Sequence, residues 1–553
     1  MKLFFLGLDG TTFDLLDPLM QEKRMPKLEE IISRGTRAAL ETTIPPITPT
    51  AWVSLVTGKN PGKHGILEFL LRRSGSMQDI PINQSLRDAA AIWDILSAQG
   101  YKVIVTNMPV TYPPTPINGI MISDFLTPRG KHDFAYPEGI LKEIEERFGP
   151  YRLYITEVYA PGNVDRVLDQ LFDELEYKTR VTEYLLRNHP WDAFFTHIWS
   201  TDRCQHELWH LWDKSHPMSS NREIERHYDR VMQFWKAVDD AVSSMYQAAG
   251  ASETLLMIAS DHGFGPIHKF LCFNVWLLEE GLLVLKRNAL TRLKRLMFKL
   301  GLTPELGYRL SMKLGLAKIR LAAGVTNRSS LFRIINKLML SLEDVDWSRT
   351  LAYSKGNYGQ LFINLKGREP YGTVEPGLQY ERVVSSVIEK LRKLVDPATG
   401  QKLIGEIWRR EELYTGPHTE EAPDISFLPA DMRYKPMGTL DLSSNRFITD
   451  VYGNSGDHRM NGLFIAAGPR IKSGLKLEHA RIIDLAPSML YLLDQPIPED
   501  MDGKVLTEMI EEEYLHSTAI RYCNVSSNDR YRADLDEQDS REVCERLKSL
   551  GYL

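Results

Sequence analysis

Six residues able to ligate a metal and one hydroxyl able to attack phosphorus are spread along this 553-residue chain: Asp9, Asp202, His206, Asp261, His262 and His458, with Thr48 as the hydroxyl. Three carboxylates and three imidazoles are enough for two three-ligand sites. Two divalent cations about 4 Å apart can hold the attacking and leaving oxygens of an in-line phosphoryl displacement at once. If these residues converge, the chain is expected to be an enzyme.

Each local context leaves a plainer reading open. Asp9 follows the apolar run Leu3–Leu8 and precedes Gly10-Thr11-Thr12. That is the carboxyl end of an expected parallel strand, where open α/β sheets bind ligands, although a cap or turn role fits as well. Thr48 stands in Ile47-Thr48-Pro49-Thr50, a helix start with Thr at the N-cap and Pro at the first helical position, stopped by Gly58. An ordinary cap explains this as well as a hydroxyl exposed at the positive end of a helix. Asp202 and His206, four apart after the run Ala193–Ile198, would face the same way on a helical turn. A solvated surface pair is the alternative; His197 competes for the role, and His210 ranks as a supporting or surface residue. Asp261-His262 ends the run Thr254–Ala259, and both can serve only if Gly263-Phe264-Gly265 lets the chain turn. His458 lies in the polar loop Gly453–Arg459, where Asp457 is placed to orient an imidazole.

The elements that must position these residues read as α/β. Short apolar runs (Leu3–Leu8, Lys102–Thr106, Ala193–Ile198, Thr254–Ala259, Gln360–Ile363, Gly462–Ala467) alternate with amphipathic stretches (Met25–Arg34, Thr50–Val56, Ser85–Gln99, Val164–Arg187, Arg222–Gln247, Tyr380–Leu394). This predicts a mainly parallel central sheet with helices on both faces. Hydrophobic residues at 43% and charged residues at 25% are ordinary for a globular protein, and a net charge of −6 gives no expectation of nucleic-acid binding. Four cysteines without Cys-x-x-Cys spacing suggest neither disulfides nor a thiolate metal site. The first apolar run meets Asp9 too soon for a secretory signal, and no stretch reaches the ~18 apolar residues of a membrane span, so a cytoplasmic location is expected.

Charge is distributed unevenly. Between Lys286 and Leu340 stand thirteen Lys or Arg and one acid, Glu305, a local surplus of +12 that leaves −18 on the remainder. With Leu290, Leu293, Met297 and Leu300, then Leu331, Ile334, Ile335 and Leu338, at helical spacing, 276–345 reads as a basic helical insertion. It would pack on the core, cover an anionic substrate as a lid, or rest on an anionic membrane surface through 286–340. Residues 1–275 and 346–510 are assigned to the catalytic domain and 511–553 to a tail packing on it.

Taken in order, Leu8-Asp9-Gly10, Thr48 with Val56-Thr57-Gly58 and Lys63-His64-Gly65-Ile66, Asp202-x-x-x-His206, Ser260-Asp261-His262-Gly263, Gly456-Asp457-His458, Asp484-Leu485-Ala486-Pro487 and Asp502-Gly503 resemble the alkaline phosphatase superfamily, within it the type I phosphodiesterase/nucleotide pyrophosphatase group. The resemblance spans nearly all of 1–510. It implies an alkaline phosphatase-like fold and two divalent ions, zinc being usual and manganese the alternative. Asp202, His206 and His458 would hold one ion; Asp9, Asp261, His262 and the Thr48 oxygen would hold the other. It further implies hydrolysis of phosphoric ester or diphosphate bonds in a phosphorylated small molecule, through a phosphothreonine intermediate. One departure stands out: the Asn usual after His-Gly-Ile in nucleotide pyrophosphatases is absent from Leu67-Glu68-Phe69-Leu70. Lys63, Lys355 or Arg368 would have to hold the phosphate oxygen instead. A phosphomutase or phosphotransferase on the same core, or a membrane-surface protein on an inactive hydrolase fold, are the competing expectations. Thr48 in place of a modified Cys or Ser disfavours a sulfatase.

Overall fold

The computed structural model describes residues 1–72, 76, 78–313, 339–438, 442–524 and 535–552. Its centre is the strand Lys2–Leu8, buried along all but its first residue. Alternate side chains enter two different cores: Leu3 and Phe5 join one cluster, and Phe4, Leu6 and Leu8 the other. A strand covered on both faces must be apolar at every position, which is why the run reads as continuous rather than alternating.

Around it lies a nine-stranded sheet. The order across the sheet is Leu475–Arg481, Gly35–Glu41, Asn461–Ala467, Thr254–Ala259, Lys2–Leu8, Ala193–Ile198, Val103–Thr106, Gly119–Ile122 and Ala135–Tyr136. The five strands from Thr254–Ala259 to Gly119–Ile122 are mutually parallel. Asn461–Ala467 joins antiparallel to both of its neighbours. The strand Gly35–Glu41 was not expected from the sequence. Its Gly35 is required by closeness, since a Cβ there would stand 2.1 Å from the Ala466 carbonyl oxygen.

Helices Pro26–Ser33, Val164–Asn188 and Asn221–Ala248 cover one face, and Thr48–Thr57, Ile92–Ala98 and Leu485–Leu492 the other. Trp52 anchors the second of these groups, with its ring 6.3 Å from that of Phe5. The expected helix over Ser85–Gln99 is shorter than its pattern suggests. The Ala91 amide donates to Asp94 and starts the helix at Ile92, while the Asp88 amide is drawn to the His64 carbonyl.

A second, four-stranded sheet is formed by Ala352–Ser354, Gln360–Ile363, Ile404–Arg409 and Ile425–Pro429. With the helices Phe273–Glu279 and Leu378–Arg392 it encloses a core of its own. Within the basic stretch, helices span Ala289–Lys299 and Pro304–Lys313. The first turns its leucines outward, with Leu290 55% and Leu296 56% exposed, and buries Lys294 against Asp344 at 2.9 Å. Leu331, Ile334, Ile335, Leu338 and the basic residues from Lys318 to Lys337 lie outside the described residues. Among the described residues, no helix is long and apolar enough to cross a membrane.

Phe5 sits between Trp52 and Phe195 and is fully buried. Phe5→Ala should destabilise the fold by about 3–5 kcal/mol through lost burial and a residual cavity. A urea titration followed by tryptophan fluorescence measures this, and an unchanged midpoint would contradict the packing described.

Candidate active site

Strand ends and a short ladder bring the separated residues together. Asp9 directly follows Lys2–Leu8, and Gly10, at φ 64°, turns the chain so that its amide donates to Asp261 Oδ1 at 3.2 Å. On the neighbouring strand His197 is in register with Gly7, and its Nε2 donates to Asp9 Oδ2 at 2.7 Å. Asp202 and His206 lie one turn apart on the helix Ser200–Leu208. His458 arrives by a different route. Gly263–Pro266 pairs antiparallel with Gly456–Arg459, setting Phe264 opposite His458 and stacking the His262 and His458 rings at 3.5 Å. Gly263 is needed there, because a Cβ would lie 2.1 Å from the Asn461 carbonyl oxygen.

The three acids are held in the same manner. In each, one oxygen is anchored by a donor and the other accepts no hydrogen bond. Asp9 Oδ2 takes His197 and Trp52, Asp261 Oδ1 takes the Gly10 amide, and Asp202 Oδ2 takes the Tyr552 hydroxyl at 2.6 Å. Asp9 Oδ1, Asp202 Oδ1 and Asp261 Oδ2 are buried without such a partner. The imidazoles complement this. Nδ1 of His206, His262 and His458 faces the backbone carbonyls of Gly456, Gly263 and Pro46 at 2.9, 3.0 and 2.7 Å. A carbonyl only accepts, so Nδ1 carries the proton and a neutral ring turns the bare Nε2 inward. His206 Nε2 and His458 Nε2 are 3.1 Å apart, and both point toward Asp202 Oδ1, at 3.4 and 3.6 Å. His262 Nε2 is 3.1 Å from Asp261 Oδ2 and 3.7 Å from Asp9 Oδ1.

Lone pairs and unpartnered carboxylate oxygens thus converge in two buried groups, Asp202/His206/His458 and Asp9/Asp261/His262, with the ligand atoms of each within 4.8 Å of one another. This donor set suits a divalent cation in each group. Protonation reflects the same crowding. Burial, followed by repulsion from Asp261 and Asp202, raises the Asp9 pKa well above the usual carboxylate range. Burial opposes ionisation of Asp202 too, but His206 and His458 outweigh it and hold its pKa low. Burial alone would lower His262, yet Asp261 beside it raises its pKa.

Thr48 is the first residue of its helix, with Ile47 rather than Thr48 at the cap position and no side-chain cap bond. The hydroxyl faces His262 Nε2 at 3.2 Å, beside the Asp9/Asp261/His262 group. Its expected capping role is therefore not the one it performs.

The three cations considered for phosphate are all ion-paired: Lys63 with Asp502 at 2.6 Å, Lys355 with Asp79 at 2.5 Å, and Arg368 with Asp424 at 2.6 Å. Lys355 and Arg368 line a cavity of about 610 Å³, together with Arg72 and Glu68. Burial pushes the Glu68 carboxyl up to about 7. His210 bonds to Ser455 Oγ at 3.0 Å and lies outside both groups. Trp52, Tyr358 and Tyr552 were not anticipated around the ligands; Tyr358 stacks on His458 at 5.1 Å. His197 was legible only once the parallel register placed it beside the strand preceding Asp9.

The profile of the type I phosphodiesterase/nucleotide pyrophosphatase family matches residues 3–459. No curated protein matches the chain. Among solved structures it is similar to phosphonoacetate hydrolase from Sinorhizobium meliloti 1021 in complex with phosphonoformate, with a TM-score of 0.52 at 13% identity over 88% of this chain and 94% of that one. It is also similar to an inactive variant of murine ectonucleotide pyrophosphatase/phosphodiesterase 5 in complex with AMP, with a TM-score of 0.50 at 11% identity over 92% of this chain and 100% of that one. At such identities the likeness is one of fold.

Cations that bind only the folded state should raise the melting temperature, by the equivalent of about 2.7 kcal/mol at a hundredfold excess over the dissociation constant. Asp9→Asn should blunt that rise while leaving the chelator-treated protein as stable or more so, since it relieves like-charge crowding. Calorimetry with and without zinc or manganese checks both. An undiminished cation effect in Asp9→Asn would remove Asp9 from the ligand set.

Proposed function

Since this chain belongs to the type I phosphodiesterase/nucleotide pyrophosphatase family, whose members are hydrolases of phosphoric ester and diphosphate bonds, we propose that it cleaves such a bond in a phosphorylated small molecule by way of a phosphothreonine at Thr48. The observation that carries this reading is the Thr48 hydroxyl, free of capping duty and 3.2 Å from His262 at the Asp9/Asp261/His262 group.

Asp202, His206 and His458 would hold one divalent cation, and Asp9, Asp261 and His262, with the Thr48 oxygen, a second. Nitrogen and oxygen donors in threes suit zinc, with manganese as the alternative. When bound, two such cations supply positive charge to an alkoxide, a leaving oxygen and a water molecule. Thr48 gives up its hydroxyl proton to solvent as Oγ bonds to phosphorus, and the bond from phosphorus to the leaving oxygen breaks, the electron pair departing with that oxygen. Water then attacks the phosphothreonine, which restores the Thr48 hydroxyl and releases the second product. Two in-line displacements leave retained configuration at phosphorus. His197, Trp52 and the Gly10 amide keep Asp9 and Asp261 aimed throughout.

The remainder of the substrate would occupy the 610 Å³ cavity. Lys355 and Gly356 line it, and Tyr358, two residues on, stacks on His458. Lys355 and Arg368 would meet an anionic group there by exchanging Asp79 and Asp424 for it. Lys63, tied to Asp502, serves better to hold the turn after the Thr48 helix.

Thr48→Ala should retain cation uptake and lose ~10³-fold or more in turnover of bis-p-nitrophenyl phosphate. Acid quenching of the wild-type protein during turnover of this diester should trap one p-nitrophenyl phosphoryl group on Thr48, seen by peptide mass spectrometry. Equal turnover in the variant would reject Thr48 as the nucleophile.

A further inference from the structure

We propose that Tyr552 is a positioning residue for the cation site of Asp202, His206 and His458, aimed there by the turn that ends the helix Glu537–Ser549. This rests on reading that group as a cation site. Tyr552 lies beyond the span 3–459 matched by the family, so nothing in that match assigns it a role.

The turn has the form that closes a helix with a left-handed residue. Gly551 has φ 84°, its amide donates to the Lys548 carbonyl, and the Tyr552 amide reaches back to the Leu547 carbonyl at 3.1 Å. The chain passes close to its surroundings here, for a Cβ on Gly551 would stand 2.7 Å from Asn454 Nδ2. Asp536 caps the other end of the helix, and Lys131 and Arg129 tie its outer side through Asp539 and Glu542. At the inner end Arg203 donates to the Leu550 carbonyl at 3.0 Å.

These contacts drive the Tyr552 ring inward, to 3% exposure, with Phe69 at 4.9 Å and His206 at 5.6 Å. The hydroxyl accepts from Trp199 Nε1 at 3.1 Å, which leaves its single proton for Asp202 Oδ2 at 2.6 Å. With Oδ2 occupied, Oδ1 is the oxygen that faces His206 and His458, and it has no hydrogen-bond donor of its own. Tyr552 thereby does for Asp202 what His197 and Trp52 do for Asp9 and the Gly10 amide does for Asp261. A phenol that merely filled space would need neither its hydroxyl nor this aim.

The test uses the full chain and Tyr552→Phe, which keeps the ring and removes only the hydroxyl. Stepwise uptake of zinc is followed by competition with a chromophoric chelator, alongside the pH dependence of bis-p-nitrophenyl phosphate turnover. The expected result is that two zinc ions still bind, with one step weakened by about 10–100-fold and the other unchanged. Gly551→Ala, which keeps the phenol but disturbs its aim, should weaken the same step. If both steps in Tyr552→Phe match the wild type, or weaken alike, the positioning role is wrong while the cation sites stand. If the wild-type protein fails to take up two zinc ions, the site reading falls and this inference with it.

Discussion

Three carboxylates and three inward-facing imidazole nitrogens are buried together, and among the described residues no lysine or arginine is paired with these three acids. The buried cations nearby are committed elsewhere, Arg203 to Glu207 and Lys435 to Asp457. Two ionised carboxylates ~4 Å apart in a protein-like medium repel by about 4 kcal/mol, and burial adds to the difficulty. The upward displacement of the Asp9 pKa expresses that strain. Much of the surrounding structure can be understood as what is needed to keep such a cluster assembled and aimed.

The parallel sheet supplies that restraint. Asp9 and Asp261 project from the ends of adjacent strands whose register is fixed along their length, and the helix of Asp202 and His206 follows the strand on the other side. Strands buried on both faces cannot slip without exposing a whole apolar set. The one mismatch in this scheme, His458, is corrected by the ladder through Gly263 and Phe264. The acids then receive donors chosen from four different parts of the chain: an amide, an indole, an imidazole and a phenol.

Legibility in the sequence followed the range of the forces involved. Central strands were readable because continuous apolar runs need no partner to be recognised, and Ala193–Ile198 and Thr254–Ala259 carry the same bounds in the structure. The order of the motifs pointed to the ligands, whereas their donors depended on register and tertiary turns. Tyr552 had no local signal at all, since its role comes from a helix end meeting Asp202 350 positions away. The second sheet was hidden for a related reason. Ala352–Ser354 is only three residues long and Ile404–Arg409 carries polar and exposed residues, so only Gln360–Ile363 registered. In the basic stretch, leucine spacing foretold a helix but not the face it would turn outward, because burial went instead to the Lys294–Asp344 pair.

The spacing of the ligands also has a consequence for biogenesis. The ligand residues of the Asp9/Asp261/His262 group have all been synthesised by position 262, but the other group must wait for His458. At ordinary ribosomal speeds of about 5–20 residues per second, the intervening stretch takes roughly 10 to 40 s to synthesise. Throughout that interval a nascent chain carries all the ligand residues of one group and only two of the three of the other.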